Sequence, residues 1–356
     1  MSTLKVDGIR SNSATSDAIT LASDGTCTAN ITNNLSNRNK IINGGMIVHQ
    51  RSSSVTGITS NGYQTADRML LNVSTGTFTN TISTDTPDEF GSSFKLDCTT
   101  ADTSLSAGDN ILLKQRIEGQ NLQDFAKGTS AAKQFAVSFY VKTNKSGVYT
   151  VELSDIDNNR IASKTITVSD SNWNRYTLIF PADTTGAFDN DTAASLDLII
   201  WLAAGTTFTS GTLNTSSWAS KTNANRVSSS NVNFADSTSN EFYLTGVQLE
   251  VGSHATDFEH RSYGQELALC QRYFYKPDLN SYLQPAYQYG ANNKMSLVEF
   301  PTTMRATPTC TKTYGNTTNS FTEYHPSTSH YKAYVSGSPT DNNVYYLTAF
   351  QASAEL

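Results

Sequence analysis

Apolar side chains recur at every second position through much of the chain. In Phe135-Ala136-Val137-Ser138-Phe139-Tyr140-Val141-Lys142, residues Phe135, Val137, Phe139 and Val141 share one face, the period of a strand with one buried side. Runs at 68–73, 77–82, 94–98 and 111–117 precede it, and runs at 148–153, 161–168, 176–180, 196–202 and 241–251 follow. Turn-forming stretches such as Asn144-Lys145-Ser146-Gly147, Asp157-Asn158-Asn159 and Asp189-Asn190-Asp191 separate them. Short strands in this number, with helical periodicity nearly absent, predict an all-β protein built on a two-sheet sandwich of jelly-roll type.

Helix is expected in two places only. Residues 121–126 make one or two turns ended by Gly128. Residues 262–272 have Ser262 as a cap and place Leu267, Cys270 and Phe274 on one side. The second helix follows the long strand ending at Val251 and reads as a connector.

The flanks differ from the middle. Residues 1–36 hold only brief alternations, Leu4-Lys5-Val6 with Ile9 and then Ile19 with Leu21, among Ser, Asn, Asp and Gly. That is too little apolar surface for a core, so this segment is expected to be an extended arm pairing with another chain or assembly. Residues 37–260 are expected to form the sandwich, 261–275 the connector, and 276–356 a smaller C-terminal β domain. In the last, Pro277, Pro285, Pro301, Pro308, Pro326 and Pro339 punctuate alternating segments at 295–300, 330–335 and 344–350.

Composition supports the pattern and narrows the function. Of 356 residues, 43 are Ser, 48 Thr and 31 Asn, residues of strands, turns and caps rather than helix interiors. Seventeen Tyr, 16 Phe and 3 Trp are too many aromatics for a disordered chain. No apolar run approaches the roughly 18 residues of a membrane helix, and the first 20 residues lack a signal peptide's apolar segment, so synthesis in a cytoplasm is expected. A net charge of −6 without any basic run argues against a nucleic-acid partner. Cys27, Cys98, Cys270 and Cys310 are far apart in sequence and read as free thiols.

Three stretches carry a resemblance. They are Asn37-Arg38-Asn39-Lys40-Ile41-Ile42-Asn43-Gly44-Gly45-Met46 with Thr65-Ala66-Asp67-Arg68; Leu113-Lys114-Gln115-Arg116-Ile117-Glu118-Gly119; and Leu244-Thr245-Gly246-Val247-Gln248-Leu249-Glu250-Val251-Gly252 continuing through Phe258-Glu259-His260-Arg261-Ser262-Tyr263-Gly264 to Cys270-Gln271-Arg272-Tyr273. Over about residues 37–276 the chain resembles a domain of bacteriophage tail-fibre and appendage proteins, many from marine phages. The resemblance implies a jelly roll similar to carbohydrate-binding modules on a homotrimeric virion appendage. It also implies an arm docked on a tail adaptor, nozzle or baseplate protein, and a host surface glycan or lipopolysaccharide as receptor. A head-decoration or head-fibre protein and a tailspike-type polysaccharide depolymerase are the alternatives. Family members often carry Ala where Gly45 stands, Trp or Phe where Met69 stands, and Pro where Asp257 stands.

No catalytic residues come with the resemblance, and a non-enzymatic protein is expected. A glycosidase needs two carboxylates flanking a cleft, and among 10 Glu and 21 Asp none is marked by its context; Glu250 and Glu259 read as structural partners of Arg261 or backbone amides. No cofactor is expected. A structural calcium is left open by Asp155-Ile156-Asp157-Asn158-Asn159, half of a calcium loop, and by Asp183, Asp189 and Asp191, which read better as a solvated turn. His325 and His330 lack the spacing of a helical histidine pair. Glycan contacts are expected from exposed aromatics. The candidates are Trp173 at a strand start, Trp218 as a loop aromatic or a plug on the sandwich, and Tyr287, Tyr289, Tyr324 and Tyr331 at a C-terminal tip or intersubunit core. Trp201, in an apolar run, is expected in the core.

Overall fold

The computed structural model describes residues 6–13, 15, 17–21, 23, 27–29, 36–277, 287–289, 293–315, 321–323, 327–336 and 346–356. The chain divides into two compact units, Met1–Arg38 and Asn39–Leu356. In the first, β1 (Gly8–Ile9), β2 (Ile19–Leu21) and β3 (Cys27–Ala29) pair antiparallel in that order.

In the second unit the strands of the sandwich are β4 (Ser54–Ile58), β5 (Gly62–Tyr63), β6 (Leu70–Val73), β7 (Thr77–Ser83), β8 (Ser93–Thr100), β9 (Asn110–Glu118) and β10 (Phe135–Thr143). They continue with β11 (Gly147–Asp155), β12 (Arg160–Val168), β13 (Asn174–Phe180), β14 (Ala194–Ala204), β15 (Ala219–Ser220) and β16 (Glu241–Val251). One sheet has the order β13-β10-β16-β8-β7-β4 and the other β15-β12-β11-β14-β9-β6-β5. All pairings between these strands are antiparallel, and the two orders show that the chain repeatedly crosses from one sheet to the other, as from β8 to β9 and back to β10.

The period-two residues fill the core. Phe135, Val137, Phe139 and Val141 of β10 are fully buried with Phe242, Leu244, Val247 and Leu249 of β16, against Val151 and Leu153 of β11 and Leu196, Leu198 and Ile200 of β14. All ten strands anticipated between residues 68 and 251 are present. The three that alternation does not reveal, β4, β5 and β15, are short, and each stands at the end of its sheet.

The helix α1 (Thr206–Thr209) has no counterpart in the sequence pattern, and residues 119–125 form two 3₁₀ turns, ended by Ala126 at φ 49°. The second expected helix is present as α2 (Tyr263–Gln271). Ser262 Oγ accepts the Gln265 N–H while the Gln265 side chain returns to Ser262 N, a capping box. Phe274 is not on this helix but in β17 (Phe274–Tyr275).

The C-terminal part adds β18 (Tyr287–Tyr289), β19 (Asn293–Glu299), β20 (Thr309–Gly315), β21 (Phe321–Glu323), β22 (His330–Ser336) and β23 (Tyr346–Ser353). They form two sheets, β17-β23-β20 and β18-β19-β22-β21, over a small core that includes Val298, Met304, Tyr331 and Phe350. The end of the chain is tied back to the sandwich. Arg68 is buried, stacks 3.5 Å from the Tyr273 ring centroid and pairs with Glu355, which also pairs with Arg51 at 3.0 Å.

Candidate functional site

Many of the polar residues in the stretches that carry the resemblance turn inward. Asn39 N donates to Glu259 Oε2 at 2.8 Å, and the Arg261 guanidinium donates to the Asn39 and Ile41 carbonyls. Asn43 N donates to Glu266 Oε1 at 2.6 Å, and the Asn43 amide donates to the Val48 and Asp67 carbonyls. Gln115 exchanges two hydrogen bonds with the Ile42 backbone, and Arg272 holds Glu118 at 2.8 and 2.9 Å. Glu250 accepts from Thr256 N at 2.7 Å and from Gln248 at 2.9 Å. The motif thus fastens the entry of the sandwich to its exit, as expected for Glu250 and Glu259, because buried polar groups need this degree of satisfaction. Gly44 is obligatory there, since a Cβ would lie 2.1 Å from the Val247 carbonyl oxygen.

The two acidic stretches considered for calcium meet around one ammonium. Lys127 Nζ is fully buried, 2.6 Å from Asp155 Oδ2, 3.2 Å from Asp183 Oδ2, and 2.9 and 2.7 Å from the Thr185 and Gly186 carbonyls. Arg160 holds Asp183 at 2.8 and 3.0 Å. Asp183 is therefore no part of a solvated turn; Asp189 and Asp191 are exposed as expected. The chain's own ammonium occupies an oxygen cage of the sort a hard cation takes. Among the described residues no group of three or more His, Cys, Asp or Glu side chains is arranged to hold a metal.

The aromatic candidates part company. Trp218 is only 6% exposed; its ring packs on Phe135 at 5.4 Å and its indole N–H donates to the Pro181 carbonyl at 2.8 Å. Of the two alternatives it is the plug, and neither face is open to a sugar. Tyr331 is fully buried in the C-terminal core and cannot line a tip within this chain. Tyr324 lies outside the described residues, as do the side chains of Tyr287 and Tyr289. Trp201 is buried, but not in the sandwich core: it lies with Leu112, Ile199 and Val227 on the far side of its sheet, with Phe208 against it at 5.2 Å.

Trp173 alone among the described candidates lies part-exposed, on the outer face of the six-stranded sheet. Outward positions of neighbouring strands meet there in register, with Lys142 opposite Tyr243 and Tyr243 opposite Lys95. Trp173 stands edge-on to Tyr243 at 6.1 Å and donates its indole N–H to Asp85 at 2.9 Å. Lys142 Nζ donates to the same carboxylate at 2.6 Å, and this bond, more than any other influence, holds the Asp85 carboxyl below its usual range. Lys95 bridges Asp97 at 2.9 Å and Glu241 at 2.8 Å. Asp85 keeps 40% of its side chain in solvent. On the same face Phe90 packs against Tyr140 at 5.3 Å and Phe258 at 5.1 Å. Gly246, at φ +63°, admits this pair, because a Cβ there would come within 2.8 Å of both rings.

The patch therefore combines the part-exposed rings of Trp173, Phe90, Tyr140 and Phe258 with carboxylates and ammonium groups, Lys95 and Lys142 on strands and Asp85 and Trp173 just outside them; Tyr243 is itself buried. Rings stack on C–H surfaces, and the polar groups can read hydroxyls. Apart from Trp173 the sequence did not single it out, because Asp85, Lys95, Lys142, Trp173 and Tyr243 come from five separate segments; strand phase marks only Lys95, Lys142 and Tyr243, since Asp85 and Trp173 lie just outside β7 and β13.

No protein-family model matches the chain, and no curated protein matches it. Among solved structures, the chain is similar to a xylan-binding domain of carbohydrate-binding family 22, at 12% identity over 57% of this chain and 99% of that one, with a TM-score of 0.30. It is similar to the module TmCBM61 in complex with β-1,4-galactotriose, at 10% identity over 60% and 99%, TM-score 0.28. A cyclase from Fischerella sp. TAU is similar at 9% identity over 62% and 98%, TM-score 0.30.

Proposed function

We propose that this chain is a non-enzymatic virion protein, a tail fibre, whose sandwich attaches the particle to a host surface glycan or lipopolysaccharide. The observation that carries the glycan reading is the outer face around Trp173, where a part-exposed indole, Tyr243, Asp85 and Lys142 stand together. The appendage reading rests on the sequence resemblance over residues 37–276. The arm docks on a tail adaptor, nozzle or baseplate protein, three copies assemble, and the C-terminal β domain trimerises or presents the tip. Weak single contacts then multiply through avidity.

Binding rather than hydrolysis is supported by the state of the buried glutamates: Glu118, Glu152, Glu266 and Glu355 are each engaged by an arginine, and Glu250 by Thr256 and Gln248. The test is adsorption of purified protein to host cells and competition with phage, both expected. Failure of both removes the attachment role. Release of reducing sugar from host polysaccharide would make it a depolymerase, and particle density on the capsid would make it a head fibre. Light scattering is expected to give a trimer; a stable monomer contradicts that part.

A further inference from the structure

The opposite face of the sandwich carries a charge imbalance that the glycan reading does not use. Three cross-strand rows lie on the outer side of the seven-stranded sheet: Arg116, Asp197 and Ser154; Lys114, Ile199 and Glu152; Leu112, Trp201 and Thr150. Lys221 joins the first row by donating to Ser154 Oγ at 3.1 Å. Arg226 joins the second, bonding Glu152 at 3.0 and 3.1 Å.

Glu152 is spent. Besides Arg226 it accepts the Trp201 indole N–H at 2.9 Å. Together the two carboxylates Glu152 and Asp197 face four cations, Lys114, Arg116, Lys221 and Arg226, an excess of two positive charges in a chain whose net charge is −6. Distances make the shortfall worse. Lys114 Nζ is 3.8 Å from Asp197 Oδ2 and Arg116 Nε is 3.4 Å from Asp197 Oδ1, and neither approach is a hydrogen bond. Yet Lys114 is only 13% exposed, Asp197 9% and Arg116 33%. Half-buried cations without a matching anion are costly.

We propose that this face is a binding site for an oxyanion, a carboxylate or phosphate group, received by Lys114, Arg116 and Lys221. It goes beyond the glycan reading and does not depend on it. The titration behaviour agrees. Burial, followed by neighbouring cations, moves Lys221 toward its neutral form; burial also outweighs Asp197 in doing so for Lys114, and pushes Asp197 up toward its own neutral form. An incoming anion supplies the charge and the acceptors that Asp197 does not.

The full chain is titrated with inorganic phosphate and with trigalacturonate, using tryptophan fluorescence and calorimetry; uncharged galactotriose is the control. Saturable binding of at least one anion is expected, with a rise in Tm on anion addition. Phosphate alone assigns a free-ion source and trigalacturonate alone an acidic saccharide. Lys114→Met and Lys221→Met are each expected to weaken anion binding about tenfold or more. Because they relieve repulsion, they leave the anion-free Tm unchanged or higher. Absence of saturable anion binding by the wild type overturns the proposal, as does undiminished binding by both folded variants. If one variant fails to fold, the other decides. Binding of galactotriose at this face with equal affinity would also contradict it.

Discussion

Lys127 Nζ lies 2.6 Å from Asp155 Oδ2 with neither side chain exposed to solvent, and the same ammonium reaches Asp183 at 3.2 Å. The pair crosses from the turn between the 3₁₀ segment and β10 to the end of β11, so it fixes a loop onto the rim of the sandwich. Replacing Lys127 by Met leaves the buried Asp155 carboxylate without its cation, while Asp183 keeps Arg160. The expected cost is about 3–5 kcal/mol in denaturant unfolding. With the cage already filled by the chain's own cation, chelators are expected to leave the wild-type Tm unchanged; a drop on adding EDTA would show that a metal ion contributes as well.

Asp183 gives this region a pH dependence. Burial alone would raise its carboxyl, but the bonds from Arg160, Thr185 N and Lys127 outweigh burial and hold it below the ordinary 3.8. A folded-state pKa lower than the unfolded one contributes stability above the unfolded value and loses it as pH falls through the folded value. Wild type is therefore expected to exceed Asp183→Asn in stability at pH 6, with the gap closing as pH falls below about 4. A gap independent of pH, read by urea unfolding, would contradict the ion-pair account.

Much of this architecture was legible and some of it could not be. The alternation in 135–142 located β10 because one face of that strand is wholly apolar, and Ser262 as a cap marked the start of α2, where the structure adds Gln265 as the other half of a capping box. β4, β5 and β15 escaped because short strands at the ends of sheets need no buried face. Trp218 sits in a Ser-rich stretch that looks solvent-facing, yet the chain folds back so that Pro181 satisfies its N–H. The Lys127 cage unites residues near 127, 155 and 183, and Asp85 lies 88 residues from Trp173 in sequence; local pattern contains no term for such pairings.

The Arg68–Glu355 pair makes the chain end part of the sandwich's stability. Glu355→Ala leaves Arg68 buried without its carboxylate, at an expected cost of about 3–5 kcal/mol. Cys270, buried beside Tyr273 with Leu356 packed against the same cluster, is expected to react faster with a thiol reagent in this variant. Unchanged labelling, mapped by mass spectrometry, would mean that the end of the chain does not cover this region.

Trp218 and Trp173 separate packing from binding. Trp218→Ala empties a space against Phe135 and is expected to cost about 3–5 kcal/mol of stability. Trp173→Ala removes a part-exposed ring and is expected to cost no more than about 1 kcal/mol. Equal losses in thermal or denaturant unfolding would refute the division.

The glycan reading is tested most directly by calorimetric titration of wild type and Trp173→Ala with polysaccharide from the host surface. Saturable binding by the wild type is expected, with affinity falling about tenfold or more in Trp173→Ala while its unfolding transition stays in place. Equal affinities for the two proteins, or no binding by the wild type, would contradict the account.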